Sequence, residues 1–116
     1  MVANPIASYG PVTTLVDSGA TLPSLDCTQG SQFAITLTGT GRTLTLTNPI
    51  PGQIVNLELT QDATGSRTIT TWTNVTWAGG TAVTLTTTAA AVDFIRLTYN
   101  ATAGNWRAET VGKAYS

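Results

Sequence analysis

Six carboxylates, one thiol and no histidine are the groups to weigh first for a reaction centre in this 116-residue chain. The acids are Asp17, Asp26, Glu58, Asp62, Asp93 and Glu109, and no two are spaced so that a local element would pair them for general acid–base work. Without histidine there is no Ser/His/Asp or Cys/His arrangement, and the commonest metal ligand is missing. Cys27 stands alone, so it cannot close an internal disulfide, and with no imidazole to activate it reads as a small buried or partly buried thiol. No EF-hand spacing is present. Gly39-Thr40-Gly41-Arg42 joins two strand signals; a phosphate-cradling loop leads into a helix N-terminus, so turn geometry accounts for the glycines. These residues predict a protein that is not an enzyme and carries no cofactor and no metal. Trp72, Trp77, Trp106 and Tyr99 could form an aromatic platform for sugar rings, but Trp77 alternates with Val75 and Trp72 ends a β-run, which favours a core or a subunit seam.

The surface is as spare as the chemistry. Charged residues make up 9% of the chain, against roughly 25% in ordinary soluble domains. Net charge is −1, the hydrophobic fraction is 41% and mean hydropathy is +0.13. So little charge protects a monomer poorly from association, which points to a surface covered by other copies. The five basic residues, Arg42, Arg67, Arg96, Arg107 and Lys113, are scattered, where a nucleic-acid surface needs them clustered. No apolar run is long enough to cross a bilayer, and Met1-Val2-Ala3-Asn4-Pro5 lacks the basic and apolar regions of a signal peptide. Synthesis in a cytoplasm, no membrane partner and no nucleic-acid partner are the expectations.

The elements that must position these groups are strands. Phe33, Ile35 and Leu37 alternate with polar or small residues, as do Leu44 and Leu46, and then Val55, Leu57 and Leu59. Arg42 to Thr47 reads as a return strand after the Gly39–Gly41 turn. Asp62-Ala63-Thr64-Gly65 reads as a hairpin loop in which Asp62 accepts backbone amides, Gly65 turns left-handed and Arg67 bonds back to Asp62 or to the loop backbone. Arg67 to Trp72, Val75 to Trp77, Ala82 to Thr86, Ala91 to Tyr99 and Asn105 to Val111 complete the strand signals. Residues 91–99 are apolar on both faces, with Ile95, Leu97 and Tyr99 on one and Val92 and Phe94 on the other, so both faces should be covered. The outer one, Val92, Phe94 and Arg96, is the expected subunit interface. No internal repeat is evident. Short strands with Gly, Pro, Asn and Asp turns predict an all-β single domain, a sandwich, jelly roll or barrel, with a sandwich of jelly-roll type as the leading expectation. It spans residues 12–111, with an extended Pro/Gly arm over 1–11 and a tail over 112–116.

One stretch also resembles a known family. Leu44-Thr45-Leu46-Thr47-Asn48-Pro49, Gly52-Gln53, the run from Leu59 through Gln61-Asp62-Ala63-Thr64-Gly65-Ser66-Arg67-Thr68 to Thr70, Val75-Thr76-Trp77-Ala78-Gly79-Gly80 and Asn105-Trp106 are similar to a β-domain of tailed-bacteriophage virion proteins. The likeness covers about two-thirds of the chain. It implies a structural module, commonly trimeric, without catalytic residues to transfer. A single domain opening at a methionine, with no shaft or coiled coil, suits a capsid decoration (cement) protein that sits as a homotrimer on the outside of the assembled head and binds the major capsid protein. Arm residues Val2, Asn4, Pro5, Ile6, Tyr9 and Pro11 are the expected capsid contacts. The competing expectation is a tail-fibre or head-fibre module that recognises a host surface polysaccharide.

Overall fold

A computed structural model of the protein describes residues 12–18 and 22–116. The expected arm contacts, Val2 to Pro11, lie outside the described residues. Among the described residues ten strands follow in order: β1 (Thr13–Val16), β2 (Leu25–Asp26), β3 (Gln32–Leu37), β4 (Arg42–Leu44), β5 (Leu46–Thr47), β6 (Ile54–Gln61), β7 (Ile69–Trp72), β8 (Val75–Trp77), β9 (Val92–Asn100) and β10 (Asn105–Tyr115). The chain is all-β, with only a single 3-10 turn at Ala78–Gly80 interrupting the strands among the described residues.

Alternation explains which face each strand buries. Phe33, Ile35 and Leu37 on β3, Val55, Leu57 and Leu59 on β6, Ile95 and Leu97 on β9, and Trp106 and Ala108 on β10 all point into one core. Leu25, Leu44, Leu46, Ile69 and Leu85 close that core from the opposite side. The result is sandwich-like: a six-stranded sheet, ordered β1-β3-β6-β9-β10-β8, lies over two small sheets, β2-β5 and β4-β7.

The strand pairing departs from the jelly roll that the turn pattern suggested. Jelly rolls are built from antiparallel Greek keys. Here β1, β3 and β6 run parallel, as do β2 with β5, β4 with β7 and β8 with β10; among the described residues only β6-β9 and β9-β10 are antiparallel. Parallel neighbours need a long crossover, usually a helix. In this chain the crossover is made of short strands instead. β2-β3-β4 forms one coil and β5-β6-β7 a second stacked on it, with Leu25 beside Leu46, Phe33 beside Leu57 and Leu44 beside Trp72. The β9-β10 pair then closes the open side of this stack.

Three local expectations change with it. Arg42 to Thr47 is not one return strand: it breaks at Thr45, whose carbonyl accepts from Leu25 N at 2.9 Å, and its halves join different sheets. Leu44 and Leu46 are both buried all the same. The Asp62–Gly65 turn is a corner between sheets, not a hairpin, since β6 and β7 pair with other strands. Residues 82–86 form no strand; they cross the core edge as an extended segment that drops Leu85 inside. At the C-terminus β10 runs on to Tyr115, through residues read as a tail, with register shifts beyond Thr110.

Candidate functional site

The carboxylates, followed one at a time, are mostly engaged in fastening the chain to itself. Asp17, at the end of β1, is buried; it accepts from Thr38 N at 2.7 Å and from Arg42 Nε at 2.9 Å. Asp26 accepts from Thr28 Oγ1 at 2.7 Å and from Asn48 Nδ2 at 3.0 Å, and these bonds, led by that of Thr28, hold its carboxyl below the usual range. Asp93 is buried within β9 and accepts from Thr86 N at 2.7 Å and Ala114 N at 2.9 Å, which ties the extended segment and the last strand to the sheet. Asp93 faces inward, in step with Ile95 and Leu97. Arg96 faces outward and meets Glu109 at 3.2 Å. Glu58 is exposed.

The corner at 61–67 is the densest of these fastenings. Asp62 Oδ1 accepts from Thr64 N at 3.1 Å and Gly65 N at 3.0 Å, while Arg67 donates Nε to Oδ1 at 3.0 Å and Nη2 to Oδ2 at 2.8 Å. Arg67 is the leading cause of a lowered Asp62 carboxyl, and its own guanidinium is raised in return. Gln61 is buried and makes three bonds: Nε2 to Arg67 O at 2.9 Å and Thr86 O at 2.8 Å, and Oε1 from Arg67 N at 2.8 Å. Its signal was parity, because it continues the inward series Val55, Leu57, Leu59.

Cys27 is buried, and desolvation pushes its thiol up to about 11. The thiolate is the reactive form, so a neutral buried thiol is inert. Alkylation by iodoacetamide at pH 8 should be slow in the folded protein and fast in denaturant; rapid labelling of the folded chain would contradict this burial.

The aromatic residues do not form one platform. Trp106 is buried in the core and Tyr99 packs on it with ring centroids 5.1 Å apart. Trp72 and Trp77 stack edge-to-face at 5.0 Å and are half-buried. Only Trp77 reaches an open cleft of about 620 Å³ along the outer side of β8, β9 and β10, together with Thr76, Thr98, Asn105, Arg107 and Glu109. A second, smaller hollow of about 260 Å³ lies beside Phe94, between Val12, Asn56 and Glu58. Val92 and Phe94 are half-buried and Arg96 exposed on this outer face.

Among the described residues no cluster of His, Cys, Asp or Glu is placed to hold a metal ion. No helix of the described residues is long and apolar enough to cross a membrane. No family model matches the chain, and no curated protein or solved structure is detectably similar to it.

Proposed function

We propose that this chain is a capsid decoration protein, a homotrimer that binds the outer surface of an assembled bacteriophage head and reinforces it. The observation that carries this reading is where the polar groups are spent. Asp17, Asp26, Asp62 and Asp93 all serve as internal fasteners. The outer side of the large sheet sets Ala34, Thr36, Val92 and Phe94 among uncharged polar residues, with Glu58, Arg107 and one exposed ion pair as the charged groups of β6, β9 and β10. Such a face is suited to being covered by protein, and it offers no converging acids to turn over a substrate. Val16, Ile54 and Val111 are exposed around it.

In this reading Val92, Phe94 and Arg96 form the seam between copies, and the arm carrying Val2, Asn4, Pro5, Ile6, Tyr9 and Pro11 reaches the major capsid protein. A modest contact repeated at every symmetry-related site stabilises a shell by mass action, and a trimer suits three-fold positions. The protein would then reside on the virion surface.

The test is co-sedimentation of the purified chain with undecorated heads, with host cells in a parallel tube. Saturable binding to heads is expected, and Phe94→Glu, which sets a carboxylate in the seam beside Glu58, should abolish the trimer. Binding to cells alone would replace this reading with a receptor-binding one; an intact Phe94→Glu trimer would move the seam elsewhere.

A further inference from the structure

We propose that the cleft around Arg107 binds an acidic saccharide, a sugar unit that carries a carboxylate. The inference goes beyond capsid decoration and stands without it.

The cleft exists because three strands converge at the free end of the large sheet. Arg107 on β10 is the register partner of Thr98 on β9 and of Thr76 on β8, so a guanidinium lies in one cross-strand row between two threonines. Trp77, Ala78, Asn105 and Glu109 complete the lining. The volume, about 620 Å³, lies in the range of small-molecule sites.

Charge selects the ligand's sign. Glu109 is compensated by Arg96 at 3.2 Å. Arg107 is exposed and its guanidinium has no ion-pair or hydrogen-bond partner among the described residues. The uncompensated charge in the cleft is therefore positive, and a guanidinium fork matches a carboxylate with two parallel hydrogen bonds.

Hydrogen bonding selects the ligand's body. One lining side chain carries a buried acceptor with no partner, Asn105 Oδ1. Leaving such an atom unpaired is costly, and a small side-chain rotation toward the cleft would let a ligand donate to it. The Trp77 indole packs against the core and Trp72, on the face of the sheet that Ala108 shares, so it borders the cleft without stacking in it. Each hydroxyl of a sugar can donate to Asn105 and accept from the threonines, and the threonine methyl groups and Ala78 supply apolar contact for a ring's C–H groups. An apolar ligand would leave the orphan acceptor unpaired. A polyphosphate chain would need a row of cations where this cleft has one.

The experiment titrates the full chain with trigalacturonate, maltotriose and citrate, following tryptophan fluorescence and the indole and side-chain amide signals by NMR. Saturable binding of trigalacturonate is expected, with shifts at Trp77 and Asn105 and with maltotriose about tenfold weaker or worse. Arg107→Gln removes an exposed charge and should leave the fold intact while erasing the preference for the acidic sugar. Equal binding of citrate would reduce the cleft to a simple anion site and overturn the proposal. So would equal binding of maltotriose, unchanged binding by Arg107→Gln, or no saturation by trigalacturonate.

Discussion

Replacing Arg42 by methionine should destabilise the domain by about 3–5 kcal/mol, the cost of stranding one member of a buried ion pair. The side chain of Asp17 has no exposure at all and that of Arg42 is 14% exposed. Arg42 Nε reaches both carboxylate oxygens, at 2.9 and 3.2 Å. Without it Asp17 keeps only the amide of Thr38, at 2.7 Å, and a carboxylate in that position cannot recover its hydration. The guanidinium also lies against Gly39, so closely that a side chain there would collide with it; the methionine would lose the charge but keep much of that packing. The pair joins the end of β1 to the β3–β4 turn, and Thr38 Oγ1 adds a bond to Asp17 O at 2.7 Å. Urea unfolding reads the loss as a lower midpoint. The double variant Asp17→Asn, Arg42→Met should cost less than Arg42→Met alone, because no charge is then left without a partner. If the single variant loses under about 1 kcal/mol, the pair behaves like a surface salt bridge and does not hold β1 in place.

Asp17 also shows how the sequence speaks and where it stops. Period-two alternation told which apolar residues face inward, and the structure extends it to polar residues whose burial was not foreseen: Asp17 follows Thr13 and Leu15, Gln61 follows Val55, Leu57 and Leu59, and Asp93 precedes Ile95 and Leu97. A polar residue in phase with an apolar series is a candidate buried fastener, and each of these three is one. Alternation carries no information about which strand is the neighbour. The stacking of β2-β3-β4 on β5-β6-β7 left no readable repeat because the spacing between partners differs from wall to wall, shortest for Leu25 with Leu46 and longest for Leu44 with Trp72. A slipping period hides a repeat that a fixed one would reveal. The Asp62 corner was legible since all its bonds are local, between residues 61 and 67, apart from those to the 86–90 segment. The cleft was not, because Thr76, Thr98 and Arg107 meet only through the pairing of β8, β9 and β10.

Gly65→Ala should be among the most damaging single-methyl additions this chain can suffer, at roughly 3 kcal/mol, whereas Gly52→Ala should cost about 1 kcal/mol. The two glycines share a backbone conformation, with φ of 76° and 77°, so the left-handed penalty is the same for both. What differs is what the new methyl would meet. At Gly52 nothing lies within 4 Å. At Gly65 the Cβ would sit 2.6 Å from Thr87 O and 2.9 Å from Ala89 N, both backbone atoms with no rotamer to yield. Relief requires the corner to move away from the 87–90 segment, and the bonds that join them stand in the way: Ser66 N to Thr87 O at 2.8 Å and Ala90 N to Asp62 O at 3.1 Å. Beneath them Gln61 would begin to lose Thr86 O, and a buried amide left unpaired adds its own cost. The comparison is decided by equilibrium unfolding of the two variants side by side. Equal losses would mean that Gly65 is needed only for its dihedral angles; a Gly65→Ala loss two- to threefold larger would place the close approach of two backbones at the centre of why this corner holds.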